Sequence, residues 1–335
     1  MKYNSAMNSP KILIIQTAFT GDVILATAMM ESIHHGIPGA EIHFLLRKGN
    51  EGLFKGHPYL HKLLILDKKK SRWTELRRLI QETRKEKYDY VFNLQRYAAS
   101  GIITAMSGAK MRIGYDKNPL SFTYTKALPH LFNGSHETER NHQLLRSCFD
   151  IKEQKQKLYP TQDDFLKAKS YYKSFMVCMA PSSVWMTKRL PEEKWIALIR
   201  GLENAEAIYL LGGPADAAWC RTLIEKSGSS KAINLAGELS YLESAALMSM
   251  ARMNYVNDSA PLHMASAMNA PVRAFFCSTV PAFGFRPQSE DQRIIEVENL
   301  SCRPCGIHGF QVCPKKHFHC GHQISIEPLI EEMQA

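Results

Sequence analysis

NYVNDSAPLHMASA, residues 254–267, holds the turn on which the reading of this chain rests. Tyr255 and Val256 read as the end of a buried strand. Asn257, Asp258 and Ser259 then offer side chains of the type that cap a helix start. Pro261 suits the first helical turn, where its missing N–H costs nothing. Residues 262–268 are good helix formers. The order is strand, tight turn, helix. Such a turn presents free backbone N–H groups and the positive end of a helix dipole, which together can bind an anion. The same pattern also describes an ordinary strand-to-helix turn with a routine cap, so the surrounding chain has to decide.

Outward from that turn, the alternation continues in both directions. Residues 11–16 (KILIIQ) form a short apolar run that fits a buried parallel strand, followed by a turn (TAFTGD) and an amphipathic helix over 23–35. Further strands are expected at 41–46, 63–66 and 88–94, with a charged helix over 71–87. Residues 151–174 change in texture and read as a link. Beyond it the alternation restarts: strands at 175–180, 207–211, 232–235, 253–256 and 271–276, with a helix over 191–201. Strands alternating with helices imply a parallel α/β sheet, and two fresh starts imply two such domains.

The chain has 335 residues, 45% of them hydrophobic, with a formal net charge of +10. That size and composition fit a globular protein of one large or two medium domains. The basic bias favours anionic partners: nucleic acid, phosphorylated small molecules or an anionic membrane surface. No apolar run is long enough to span a bilayer, and the first ten residues lack the apolar core of a signal peptide, which places the protein in the cytoplasm by expectation. Residues 1–10 read as a loose polar arm. Cys148, Cys178, Cys220 and Cys277 lie scattered in apolar or helical contexts and read as reduced core residues.

Several stretches in order resemble the ADP-heptose:lipopolysaccharide heptosyltransferases, glycosyltransferase family nine. They are KILIIQTAFTGDVILATAMMESI, FNLQRYAASGIITAMSGAKMRIGY, HETERNHQLL, APSS with TKRLPEEKW, LLGGPAD, NLAGELSYLES, the NDSAPLHMASA turn and the strand and loop PVRAFFCSTVPAFG. Two departures stand out. Ala260 replaces the usual Gly of the family's N-D-[ST]-G-P turn, which should narrow the approach of a phosphate to the backbone. Residues 277–281 (CSTVP) replace its G-P-T-D-P loop. The resemblance implies a GT-B architecture: two Rossmann-like domains facing a central cleft. Residues 1–155 would bind the acceptor, 172–322 the nucleotide sugar, and 323–335 would form a C-terminal helix.

The resemblance also implies roles. Asp22 would be the base that takes the acceptor proton as the new C–O bond forms. Gly21 would let the acceptor approach closely. By sequence alone, Asp22 is also simply a carboxylate that suits a helix start. Lys188 would meet the growing charge on the leaving diphosphate, although a lone lysine is equally a solvated surface residue. Ser182 and Ser183 match hydroxyl donors to the same phosphates. Asp258, Ser259, Ala260 and His263 match the phosphate-facing turn. Asp216 matches the acidic residue on the ribose and Leu239 a residue beside the adenine, while Glu238 stands where many members carry Lys. The implied donor is an ADP-sugar, and the implied acceptor a lipid-linked lipopolysaccharide-core glycan at the cytoplasmic face of the inner membrane. The implied reaction is heptose transfer with inversion, and catalysis needs no cofactor. A relative with another nucleotide sugar or glycan acceptor is the alternative. Neither a D-x-D run for a metal–diphosphate bridge nor a G-x-G-x-x-G after the first strand is present.

Two further clusters remain. Lys62, Lys68, Lys69, Lys70, Arg72, Arg77 and Arg78 form a basic stretch, either a solvated helix face or a patch for the acceptor or an anionic membrane. Cys302, Cys305, Cys313 and Cys320 begin with the C-x2-C spacing of a zinc knuckle, with His308, His317, His319 and His322 nearby. A structural zinc, reduced thiols and disulfides all remain open. A nucleic-acid binder is disfavoured, because the basic residues are spread over a two-domain α/β pattern without a known nucleic-acid motif.

Overall fold

The computed structural model describes residues 9–334. Most of the polar arm expected over 1–10 lies outside the described residues. The chain divides into two compact units, Met1–Tyr159 and Pro160–Ala335.

The first unit runs β1 (Lys11–Ile15), α1 (Thr20–Gly36), β2 (Glu41–Arg47), β3 (Leu60–Leu66), α2 (Arg72–Glu86), β4 (Tyr90–Asn93), α3 (Ala98–Met106), β5 (Met111–Tyr115), β6 (Lys126–Leu128) and α4 (Glu137–Arg146). Its six strands are parallel, in the order β3-β2-β1-β4-β5-β6. The central strand β1 is apolar because both faces are covered; residues 12–15 are fully buried. Helix α2, the charged helix expected over 71–87, turns Leu76 and Leu79 inward against Leu13, Leu64 and Val91. Helix α1 differs from expectation. Residues 23–33 are all buried, because the chain after α4 lies along the helix. Gln154 N–H donates to Ser32 Oγ, Lys157 N–H to Thr27 Oγ1, and the Tyr159 hydroxyl to the Glu31 carboxylate.

The second unit runs α5 (Gln162–Lys169), β7 (Met176–Ala180), α6 (Glu192–Gly201), β8 (Ala207–Leu210), α7 (Ala217–Ser227), β9 (Ala232–Asn234), α8 (Tyr241–Met250), β10 (Met253–Asn257), α9 (Ala260–Ala267), β11 (Val272–Phe276), β12 (Gln292–Glu296), α10 (His319–His322) and α11 (Glu327–Gln334). The sheet order is β12-β11-β10-β7-β8-β9, again all parallel. Counted from each unit's first strand, both sheets read 3-2-1-4-5-6, the doubly wound Rossmann order. Strands β7, β10 and β11 are buried along their whole length. Trp195 of α6 is fully buried edge-on to Phe275 of β11, with ring centroids 5.3 Å apart. Helix α11 closes this core. Leu329 and Met333 join it, the Tyr255 hydroxyl donates to Leu329 O at 3.4 Å, and Arg273 pairs with Glu332 and Asp291.

In a doubly wound sheet, ligands bind outside the carboxyl ends of the strands at the switch point, where neighbouring connections leave in opposite directions. Here those points lie between β1 and β4 in the first unit and between β7 and β10 in the second.

Candidate active site

At the first switch point, Gln16 follows β1 and Gln95 follows β4. The Gln95 side-chain amide donates to Gln16 Oε1, which also accepts the Ala18 N–H at 3.2 Å. This ties the end of β4 to the turn that enters α1. Asp22 stands in the first turn of α1, half-buried, and its Oδ2 accepts the Phe19 N–H at 3.2 Å. A carboxylate so placed complements the helix dipole. Gly21 is one residue earlier in the same turn. Around it, Arg47 lies 4.9 Å over the Phe19 ring, Lys68 Nζ donates to Thr17 O at 3.2 Å, and Arg96 lies 5.4 Å over the Tyr97 ring. Burial, and then Arg47, push the Lys68 ammonium below its ordinary pKa. A cavity of about 410 Å³ opens beside Arg47, Lys48, Lys68 and Lys69. Gln16, Gln95 and Arg47 escaped the sequence reading, since only the sheet order brings them together.

The basic stretch divides in two. Lys62 pairs with Glu82 and Glu86, and Arg78 with Glu75 and Glu82. Lys69, Lys70, Arg72 and Arg77 are exposed, and among the described residues none has a carboxylate within salt-bridge distance. Arg72 lies 5.8 Å over the ring of Trp73, which is 72% exposed.

At the second switch point the loop after β7 meets the turn after β10. The expected capping by Asn257, Asp258 and Ser259 does not occur. Ser259 is the N-cap residue of α9, yet no side-chain cap bond forms. Asn257 instead accepts the Leu190 N–H at 2.9 Å, and Ser259 Oγ donates to Ser182 O at 3.3 Å. Asp258 accepts Lys188 Nζ at 2.7 Å and the Thr279 hydroxyl at 2.6 Å. The Lys188 and Asp258 side chains are only 14% and 6% exposed. The three polar side chains therefore lock the turn to its neighbours and leave the start of α9, at Ala260, without a side-chain cap. The Ser182 hydroxyl is buried and among the described residues has no hydrogen-bond partner, which is uncommon for a buried polar atom unless a ligand supplies one.

Asp216 and Leu239 follow β8 and β9. Asp216 Oδ2 accepts the Gly213 N–H at 2.9 Å. Gly237, with φ +87°, donates to Gly212 O at 2.9 Å, and a Cβ there would come within 2.9 Å of Pro214 Cα. Glycine at this position thus brings the two loops together. His263 is 5% exposed on α9, its ring 6.3 Å from that of Phe285. Ser183 O accepts Arg189 Nε at 2.7 Å. Thr279 was missed as a functional residue, although it keeps the Thr of the family's G-P-T-D-P loop.

All eight cysteines are free thiols. Cys178 and Cys277 are buried, and burial raises both thiols far above their ordinary pKa. In the Cys-rich segment, Cys320 is pushed up to about 11, by burial first and then by Cys305 and its neighbours. The four thiols thus lie within electrostatic reach of one another, but among the described residues no three of their sulfurs come within 4.8 Å. The three ligand atoms that do are Glu41, His43 and Glu86, and Lys11 already bridges the two carboxylates. Among the described residues no helix is long and apolar enough to cross a membrane.

The sequence profile of glycosyltransferase family 9 (heptosyltransferase) matches residues 76–311. Lipopolysaccharide heptosyltransferase 3 of Escherichia coli is 26% identical over 293 residues, which cover 82% of this chain and 85% of that protein. Among solved structures, the glycosyl transferase family 9 protein of Veillonella parvula aligns with a TM-score of 0.79 at 19% identity, covering 87% of this chain and 88% of its own. The E. coli ADP-heptose lps heptosyltransferase II aligns at 0.76 and 18% identity, covering 97% and 100%. Two Rossmann-like units and these neighbours make the fold GT-B, and the profile match over residues 76–311 means that the chain belongs to glycosyltransferase family 9, the heptosyltransferases.

Proposed function

We propose that this transferase moves heptose from ADP-heptose to a lipopolysaccharide inner-core acceptor by a single inverting displacement. The observation that carries the reading is the buried Lys188–Asp258–Thr279 cluster, beside the unpartnered Ser182 hydroxyl and the uncapped start of α9. It supplies a fixed cation, a hydroxyl donor and a helix start without a side-chain cap, a set that suits a diphosphate. The names of the relatives supply the sugar, the nucleotide and the acceptor class.

In the proposed step the acceptor hydroxyl oxygen bonds to the anomeric carbon as the bond from that carbon to the diphosphate oxygen breaks. The proton passes to Asp22, and ADP leaves with the bonding electrons. Lys188, Ser182, Ser183 and the turn at Asp258, Ser259, Ala260 and His263 take the developing negative charge. Asp216 holds the ribose and Leu239 packs beside the adenine. The diphosphate competes with Asp258 for the Lys188 ammonium, so that cation is positioned before donor arrives.

The acceptor is lipid-linked, and the enzyme works peripherally at the cytoplasmic face of the inner membrane. The unpaired cations at Lys69, Lys70, Arg72 and Arg77 support this reading. Four thiols in one segment fit a tetrahedral thiolate metal, zinc by preference, whose role is structural. No chemical step involves that metal.

A second reading keeps the class but changes the donor. It is favoured by Ala260 in the phosphate turn and by CSTVP at residues 277–281 in place of the family loop. A thermal-shift panel of ADP, UDP, GDP, CDP and NAD separates the two, because ligand binding to the native state raises the melting temperature. ADP should give the largest shift. A larger shift with UDP or GDP selects the second reading, and a shift with NAD alone overturns both.

A further inference from the structure

We propose that Thr187 is a positioning residue through which the Cys-rich segment holds the Lys188 loop in its donor-binding form. The inference rests on reading that loop as the diphosphate site.

Lys188 ends a single 3-10 turn, Met186–Lys188. So short a turn cannot hold its own shape and must be fixed from outside. One side is fixed by Asn257, which accepts the Leu190 N–H. The other is fixed by the segment that carries the four cysteines. Thr187 N–H donates to Phe310 O at 3.0 Å, and Phe310 N–H donates back to Thr187 Oγ1 at 2.8 Å. The Gln311 amide reaches Val184 O at 3.1 Å. The same segment grips the next loop. Cys305 N–H donates to Ser278 O at 2.9 Å, Ser278 N–H donates to Thr187 O at 3.2 Å, and the Thr187 and Ser278 hydroxyls are hydrogen-bonded at 2.9 Å.

Thr187 immediately precedes Lys188, and Ser278 immediately precedes Thr279. The segment therefore clasps the residues next to the two donors of the Asp258 carboxylate. Gly309 makes the clasp possible. Its φ is +75°, and a Cβ there would lie 2.8 Å from Ser278 Oγ, 2.9 Å from Thr187 Oγ1 and 3.2 Å from Lys188 Cγ. Thr187 and Ser278 are buried, whereas Val312 is 74% exposed. This stretch thus meets its own unit through the clasp more than through a core. The clasp gives the Cys-rich segment a part in the donor site.

The test is ADP affinity by calorimetry, donor and acceptor KM, and apo melting temperature, on Thr187→Val, Thr187→Ser and Gly309→Ala. Valine keeps the shape of threonine but cannot accept the Phe310 N–H or bond Ser278. It should weaken ADP about tenfold, a size typical of losing one or two buried hydrogen bonds, and should raise the donor KM while the acceptor KM stays at the parental value. Serine restores the hydroxyl and should return ADP affinity to within about twofold of the parent. Gly309→Ala forces the clasp apart and should weaken ADP even if Thr187→Val does not fold. Parental ADP affinity in Thr187→Val or in a folded Gly309→Ala overturns the proposal, as does a Thr187→Ser variant as weak as Thr187→Val. A parent protein that binds no ADP removes the donor reading, and this inference with it.

Discussion

The two Rossmann-like units share a strand order but equip their switch points in opposite ways. In the first unit, Asp22 is half-buried and accepts the Phe19 backbone N–H. In the same unit, Arg47 and Arg96 lie over the exposed rings of Phe19 and Tyr97. In the second unit, the charged groups are buried, paired and fixed by bonds that run to four separate loops. A buried pair costs desolvation and needs good geometry to repay it. An exposed cation costs little and binds loosely. That geometry fits the proposed reading, in which the second unit holds one small charged ligand in one place and the first presents charge to something larger and less fixed. That contrast suits a compact nucleotide donor and a bulky anionic acceptor.

The contrast breaks most sharply at Asp22. Asparagine keeps the shape and can still accept the Phe19 N–H, but it cannot take a proton. Asp22→Asn should fold, bind ADP as the parent does, and slow transfer by roughly 10²–10⁴-fold. Rate measurements with acceptor and ADP calorimetry check this; near-parental turnover would reduce Asp22 to a helix-start carboxylate.

Lys188→Ala should instead lower donor affinity and turnover together, and it should also cost stability. It strands the Asp258 carboxylate, 6% exposed, without its cation. Removing one partner of a buried pair costs about 3–5 kcal/mol. The double variant Lys188→Met, Asp258→Leu should recover much of that stability while leaving donor binding lost. Urea titrations of the parent and both variants measure the difference. Equal loss in the single and double variants would show that the pair is not what the turn depends on.

Acid should separate the units next. His57 of the first unit is buried, its Nδ1 accepts the Tyr59 N–H at 3.2 Å and among the described residues its Nε2 has no partner, so the ring is held neutral. Burial, and then His34, lower its pKa to about 4. The unfolded chain, with an ordinary value near 6.5, binds the proton that the folded state refuses. Stability is therefore complete above about pH 6.5 and falls by up to about 3 kcal/mol as pH drops towards 4. His57→Phe should flatten that window in a pH series of denaturation curves; an unchanged slope would place the acid sensitivity elsewhere.

The smallest effect lies on the surface. Trp73→Ser with Arg77→Ser should leave stability within about 0.5 kcal/mol. Each removed cation near an anionic bilayer is worth about 1 kcal/mol of binding. Co-sedimentation with vesicles of phosphatidylglycerol and phosphatidylcholine should fall accordingly, and retained binding would mean that another face meets the membrane.

The central strands were legible because KILII, MVCMA and VRAFF are mostly apolar, as strands covered on both faces are. The edges were not. Lys126–Leu128 and Gln292–Glu296 are short and largely exposed or half-exposed, so no hydrophobic period marks them. The residues of the second switch point could be named one by one through the family's motifs, but not their pairing. Nothing local in NDSAP says that Asp258 will turn from capping to Lys188, because Lys188 is set by tertiary bonds. The clasp between Thr187 and Phe310, 123 residues apart, left no trace in spacing or composition. The basic stretch looked uniform, and only the structure separates its paired residues from its unpaired ones.

Helix α11 also bears on the order in which the second unit can form. Its Leu329 and Met333 complete a core begun at β7, and Arg273 and Tyr255 find partners on it. A chain emerging from the ribosome therefore completes the first unit's sheet long before the second can close its own. Contacts of such long sequence separation form slowly. During that interval Tyr255 and Arg273 are uncovered and open to a holding chaperone or a protease. Limited proteolysis of a chain stopped at residue 322, compared with the full chain, should show cleavage confined to the second unit; equal resistance of both would mean that the core closes without α11.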